Sequence, residues 1–151
     1  MISGQPAPSF VVYVCAALVL CLNLLFLWIY SGVVRGKVKI AINPEDAALF
    51  GAPLSLTEPP EIARVLRAHA NAQAMILPFL LLGLLFVLAG GSFWVCVVLF
   101  GGFTLARLAH STAYLAARQP WRTVAFITGL LLTLALMGAL IWRLAAIGAA
   151  S

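Results

Sequence analysis

The feature that most constrains this chain is a succession of long uncharged apolar runs, each of the length that crosses a bilayer. A hydrocarbon core takes roughly 20 apolar residues per helix. Phe10 to Val34 is a run of 25 residues without a charge, closed by Arg35. It is too long for a cleaved signal peptide and too poor in preceding Lys and Arg. The stretch between Arg67 and Arg107 is too long for one crossing and is cut by Gly90-Gly91-Ser92, a turn signal. A last uncharged run spans Thr123 to Trp142. The pattern predicts an all-α, integral-membrane four-helix bundle forming a single transmembrane domain over 1–151. Its helices are expected at about 10–34, 60–89, 92–117 and 120–144, with a cytoplasmic loop at about 35–60. Composition agrees: 64% of residues are hydrophobic and 9% charged, which excludes a water-soluble globule and a disordered chain. Nine Lys and Arg against four Asp and Glu give a net charge of +5, but the basic residues are few and dispersed, so no nucleic-acid partner is expected. Membrane lipids are the first partner implied.

Lys and Arg near short loops tend to remain cytoplasmic. Arg35, Lys37, Lys39, Arg64 and Arg67 cluster between the first two helices, and Arg118 and Arg122 flank the last connection. Met1 to Ser9 and the Gly90 turn carry none, and Arg143 is alone on the opposite side. Seven against one, with Arg107 inside a span, places both termini away from the cytoplasm. A short, loop-poor chain without an organelle signal suits a bacterial inner membrane, the endoplasmic reticulum membrane being the alternative. Within the loop, Asn43-Pro44-Glu45-Asp46 reads as a helix start, with Asn at the cap, Pro at the first position and acids in the first turn; Gly51 closes it.

An ionisable group within a span costs about 2.5 to 3.5 kcal/mol at a helix centre, so such residues point to function. Arg64, Arg67, Asn71 and Ala74 share one stripe of the second helix; Arg107, His110, Ser111, Tyr114 and Arg118 repeat that spacing on the third. Arg122, Thr123 and Phe126 begin a stripe on the fourth. All lie toward the cytoplasmic ends, and together they predict one cationic pocket. Taken singly, each has a plainer reading. The arginines snorkel to anionic head groups, His110 and Asn71 hydrogen-bond between helices, Tyr114 belongs to an interfacial belt, and Pro78 is a tolerated kink. The joint occurrence of several arginines with Asn, His and Tyr favours a site. Cys15, Cys21 and Cys96 all fall in apolar spans with no close-spaced pair, and His69 and His110 are the only histidines, so neither a disulfide nor a metal site is expected. The Gly102/Ala106 and Ala109/Ala113/Ala117 spacings offer ridges for close helix packing.

Four motifs carry a resemblance. Arg64-Val65-Leu66-Arg67-Ala68-His69-Ala70-Asn71, Leu77-Pro78-Phe79, Asn43-Pro44-Glu45-Asp46-Ala47 and Arg107-Leu108-Ala109-His110-Ser111-Thr112-Ala113-Tyr114 together resemble the MAPEG family, the membrane-associated proteins of eicosanoid and glutathione metabolism. The likeness is to its microsomal prostaglandin E synthase and glutathione transferase branch and extends over about Arg35 to Arg143. It implies a four-helix protomer of a homotrimer with glutathione as co-substrate, bound between neighbouring subunits near the cytoplasmic face. By position, the resemblance implies that Arg35, Arg67, Asn71, His110, Tyr114 and Arg122 line the glutathione site, with Arg122, Thr123 and Asp46 close to the chemistry. The chain departs from that branch at Ala74, where an acid is usual, at Ala70, where the prostaglandin synthase has Arg, and at Phe126, where it has Tyr.

Glutathione carries two carboxylates and an ammonium, so planar cations such as Arg35 and Arg67 suit its acids, and Asn71 and Tyr114 its neutral groups. A thiol of pKa about 8.5 is a weak nucleophile until a nearby guanidinium and hydroxyl favour its thiolate. Arg122 and Thr123 are the candidate pair. The expected activity joins that thiolate to a lipophilic electrophile or peroxide by conjugation, isomerisation or reduction. The alternative from another class is a non-catalytic lipid-binding or regulatory member of the same family, favoured by Ala70, Ala74 and Phe126. A small transporter ranks last, since no acidic residue stands within a span as a relay.

Overall fold

The computed structural model describes residues 6–149. Its helices are α1 (Pro8–Val38), α2 (Pro44–Phe50), α3 (Pro60–Leu88), α4 (Phe93–Leu115) and α5 (Trp121–Gly148). All but the short α2 are long and apolar enough to cross a membrane, so the chain is an all-α membrane four-helix bundle. Met1 to Gln5 of the uncharged N-terminal tail lie outside the described residues.

Three helix ends differ from the sequence expectation, for one physical reason. Charge marks where hydrocarbon stops, whereas a helix stops where its hydrogen bonding is capped. α1 continues past Val34 with Arg35 and Lys37 in its last turn, where the helix dipole favours cations, and closes at left-handed Lys39. α4 ends at Leu115 instead of 117: Ala117 turns to φ 57°, and the Arg118 N–H bonds back to Ala113 O at 2.9 Å. This Schellman-type closure leaves Arg118 exposed beyond the helix and off the expected stripe. α5 runs on to Gly148, four residues past 144, because Ala145 to Ile147 are apolar and hold no breaker.

The expected start of α2 stands in outline, with Asn43 before the helix, Pro44 first, Glu45 and Asp46 in the opening turn and Gly51 closing at φ 60°. One detail is corrected. The Asn43 side chain makes no cap; its Nδ2 donates to Asp46 Oδ2 at 3.0 Å, a charged acceptor within easy reach in this exposed turn. The loop is pinned by an isolated bridge in which Ala41 N–H donates to Pro53 O at 3.0 Å and Ser55 N–H to Ala41 O at 2.8 Å. α2 stands clear of the four long helices.

α3 and α4 form the centre. α1 packs on both from one side and α5 on both from the other, so α1 and α5 do not meet. Polar side chains of the central helices therefore face one of two separate grooves. Lipid is as apolar as the core, so close packing holds such a bundle together. Phe79 and Phe103 stack with ring centroids 3.6 Å apart, and Phe100 meets Phe79 edge-on at 5.8 Å. Large apolar side chains such as Leu18, Leu22, Trp28, Leu81, Trp94 and Leu131 face outward. The Gly102/Ala106 ridge serves the α4–α5 contact: Ala106 is buried, and a methyl at Gly102 would stand 3.3 Å from Leu132.

At the end away from the basic cluster, Arg143 Nε donates to Ala89 O at 2.9 Å, tying the end of α5 to the turn after α3. The lone basic residue of this side thus caps a helix. The turn has no room to grow, because a Cβ on Gly91 would lie 2.4 Å from Cε1 of buried Phe86. Gly91→Ala is expected to lower stability by about 1 to 3 kcal/mol, the usual cost of overpacking. An unchanged melting temperature in detergent would mean that Phe86 swings aside freely.

Candidate functional site

The polar stripes converge only in part. Asn71 from α3, His110 and Tyr114 from α4, and Arg122, Thr123 and Phe126 from α5 line one open pocket of about 310 Å³. It sits in the α5-side groove, near the C-terminus of α4 and the N-terminus of α5. Ser111, expected on the same stripe, instead turns to the other groove, where Asn23 Nδ2 of α1 donates to its hydroxyl at 3.1 Å. The residue beside His110 thus faces a different helix, since neighbours on a helix are about 100° apart.

Arg107 organises the floor. It is wholly buried, and its guanidinium donates to Asn71 Oδ1 at 2.9 Å and reaches His110 Nδ1 at 3.2 Å. A guanidinium has only donors, so Nδ1 must accept, and the proton of a neutral imidazole then sits on Nε2. With its oxygen held by Arg107, Asn71 keeps its NH₂ donors for the pocket. Gly129 of α5 faces the Arg107 stem, where a Cβ would meet Arg107 Cδ at 3.6 Å, an ordinary van der Waals contact. Arg107 Nε and one terminal nitrogen find no partner among the described residues.

At the rim, the Arg122 guanidinium lies 4.7 Å over the Tyr114 ring, a cation–π contact that holds the cation at the pocket without neutralising it. His110 meets Tyr114 edge-on at 5.6 Å and Phe126 at 6.2 Å. Beside them, the Gln119 side chain is 3.0 Å from Thr123 Oγ1. The wall is therefore rich in hydrogen-bond donors and positive charge, and can hold an anion.

Three expected site residues lie elsewhere in the protomer. Arg35 and Asp46 line a second pocket, of about 630 Å³, between the end of α1 and the loop, with Lys39, Phe50 and Pro53. Arg35 is also paired there with Glu58, at 2.6 Å. Arg67 is exposed on α3 and borders neither pocket; Arg64 is partly buried and borders neither as well. Within one protomer these residues therefore do not share a pocket, because α2 and its loop stand off the bundle while the stripe on α3 splits between inner Asn71 and outer Arg67.

Sequence reasoning overlooked Glu58 and Gln119, and it placed Arg107 on the α4 stripe without assigning it a partner. The i, i+3 spacing of Arg107 and His110 was a usable signal. The other two lie in irregular chain, where spacing gives no direction.

A bundle of four membrane-spanning helices with a donor-rich, cationic pocket near one end defines a class of multi-pass membrane protein with a polar pocket between its helices. Residues 11–142 match the MAPEG family, and the chain belongs to that family. It is 34% identical to prostaglandin E synthase of Equus caballus over 146 residues, covering 96% of this chain and 94% of that one. Prostaglandin E synthase of Homo sapiens is 38% identical over 116 residues, 73% of this chain and 76% of that one. Microsomal glutathione S-transferase 1 of Rattus norvegicus is 36% identical over 125 residues, 80% and 81% of the two chains.

Proposed function

We propose that this protein is a membrane-bound, glutathione-dependent transferase-type enzyme that brings the glutathione thiolate to a lipophilic electrophile or peroxide. The observation that carries this reading is the convergence of Asn71, His110, Tyr114, Arg122 and Thr123 on one pocket. Family membership supports it. In this reading the Asn71 amide and His110 Nε2–H donate to the peptide, Arg122 and Thr123 face the sulfur, and the electrophile enters from the bilayer. Holding both reactants supplies much of the rate. When an electrophilic carbon is attacked, the sulfur lone pair forms the new C–S bond while the leaving atom takes the displaced electrons and then a proton.

Arg35, Asp46 and Arg67 belong to the same site if the protein is a homotrimer, in which the loop of one copy and the outer face of α3 of another close over the pocket. The outward position of Arg67 on α3 supports such an assembly. In this reading the basic end of the bundle is cytoplasmic and both termini are on the far side of the membrane.

Calorimetric titration of the detergent-purified protein with glutathione tests the reading. Binding at micromolar to low millimolar concentration supports it, and no detectable binding turns the assignment toward a lipid-binding member. The Arg35–Glu58 pair gives a sharper check. A glutathione carboxylate that uses Arg35 competes with Glu58, so Glu58→Gln is expected to tighten binding by about twofold to fivefold, the worth of a partly exposed ion pair. Weaker binding in this variant would count against Arg35 as a carboxylate clamp.

A further inference from the structure

Gln119 lies in the short connection between α4 and α5, outside both helices. When its amide is oriented to satisfy both ends, the oxygen accepts from Arg122, at 2.6 Å from a terminal nitrogen and 3.2 Å from Nε, and the nitrogen donates to Thr123 Oγ1 at 3.0 Å. One neutral side chain thus holds both residues that face the sulfur.

The contact follows from the place of Thr123 in the first turn of α5, four residues after Gln119 in the preceding connection. Thr112, Thr128 and Thr133 each donate their hydroxyl to the carbonyl four residues earlier, at 2.8, 2.9 and 2.9 Å, the usual habit of a helical threonine. Thr123 instead engages the side chain of the residue four positions earlier. Because its oxygen accepts from the amide, its single proton is free to be given to a third group. Arg122 is arranged in a similar way. Its Nε edge is occupied by an uncharged acceptor, which fixes the guanidinium plane and leaves the full positive charge for the pocket.

We propose that Gln119 is a positioning residue for thiol activation: it orients Arg122 and Thr123 so that charge and hydroxyl proton both point at the sulfur, and its neutrality keeps the guanidinium uncompensated. This rests on the reading that the pocket activates a thiol. The residue type matters here. Glutamate at the same position would keep the acceptor for Arg122 but neutralise its charge and lose the donor to Thr123, whereas methionine would keep the length and lose both bonds.

The test uses the full-length protein in detergent, with wild type, Gln119→Met and Gln119→Glu compared for ultraviolet thiolate absorbance of the glutathione complex and for the pH profile of turnover with a soluble chloronitrobenzene. Both variants are expected to raise the apparent thiol pKa, Gln119→Met lowering the thiolate at neutral pH about tenfold, one pKa unit, and Gln119→Glu lowering it further. kcat at neutral pH falls accordingly, while KM for glutathione stays within about twofold. Size-exclusion behaviour and melting temperature confirm that each variant is folded, and a folded variant of either kind suffices for the pKa comparison. An unshifted thiol pKa, or equal losses of kcat and affinity without a change in the pH profile, would overturn the positioning role. A Gln119→Glu pKa no higher than that of Gln119→Met would overturn the charge argument. A wild-type complex without bound thiolate would overturn both this inference and the transferase reading on which it rests.

Discussion

Arg122→Ala is expected to abolish the thiolate absorbance of the glutathione complex and to slow thiol transfer at neutral pH by about a hundredfold or more. The guanidinium stands at the pocket rim over Tyr114, and no acid among the described residues pairs with it. Its charge is therefore available to lower the pKa of a thiol that is otherwise about 8.5 and mostly protonated at neutral pH. Removing one preorganised stabiliser of a developing anion typically costs about 10²- to 10³-fold in rate. The fold tolerates the change, since the lost cation–π contact with Tyr114 is worth only about 0.5 to 1 kcal/mol at an open site. The measurement is the difference spectrum of bound glutathione across pH, together with size-exclusion behaviour of the variant. A thiolate signal unchanged in a folded variant would remove Arg122 from the chemistry.

Arg67→Ala is expected to weaken glutathione binding by about 1.5 to 3 kcal/mol, the range of a charged hydrogen bond, or roughly ten- to hundredfold. The reasoning is electrostatic. Arg67 is in the second turn of α3, exposed on the outer face, with no ion-pair partner among the described residues. A cation in that position near a bilayer needs an anion, and a glutathione carboxylate held between copies of the chain supplies one. Calorimetry distinguishes this from simple snorkelling to lipid: equal affinity in the variant would assign Arg67 to head groups alone. kcat at saturating glutathione should hardly change, in contrast with Arg122→Ala, because in this reading Arg67 holds a carboxylate of the peptide and not the sulfur, and within the protomer it does not line the pocket that holds Thr123.

The positions of the four spans were legible because a bilayer imposes a length on any apolar run and the runs here are closed by arginines and by Gly90-Gly91. That Asn71, His110, Tyr114, Arg122 and Thr123 would gather was legible for a related reason, and they line one pocket. Each is a polar group in or beside a span, and the 3.6-residue period of a helix puts each near the same end. The period did not say which groove a stripe enters. His110 and Ser111 are adjacent, yet one faces Arg107 and the other Asn23, and that division follows from α1 and α5 lying on opposite sides of the central pair.

What the sequence by itself determined was the membrane as solvent, the number of crossings, the concentration of positive charge at one end, and a family whose motifs survive in order along the chain. These depend on local quantities: run length, helical period and the identity of each side chain. Tertiary structure alone decided that Arg107 is wholly buried and donates to Asn71, that Glu58 takes Arg35, and that Gln119 joins Arg122 to Thr123. Each of these links depends on irregular chain or on the packing of helices distant in sequence. No period relates Arg107 to Asn71 or Arg35 to Glu58, which only the fold brings within hydrogen-bond reach. Gln119 is three and four residues from its partners, but it stands in the connection before α5, where the turn of the backbone sets its direction.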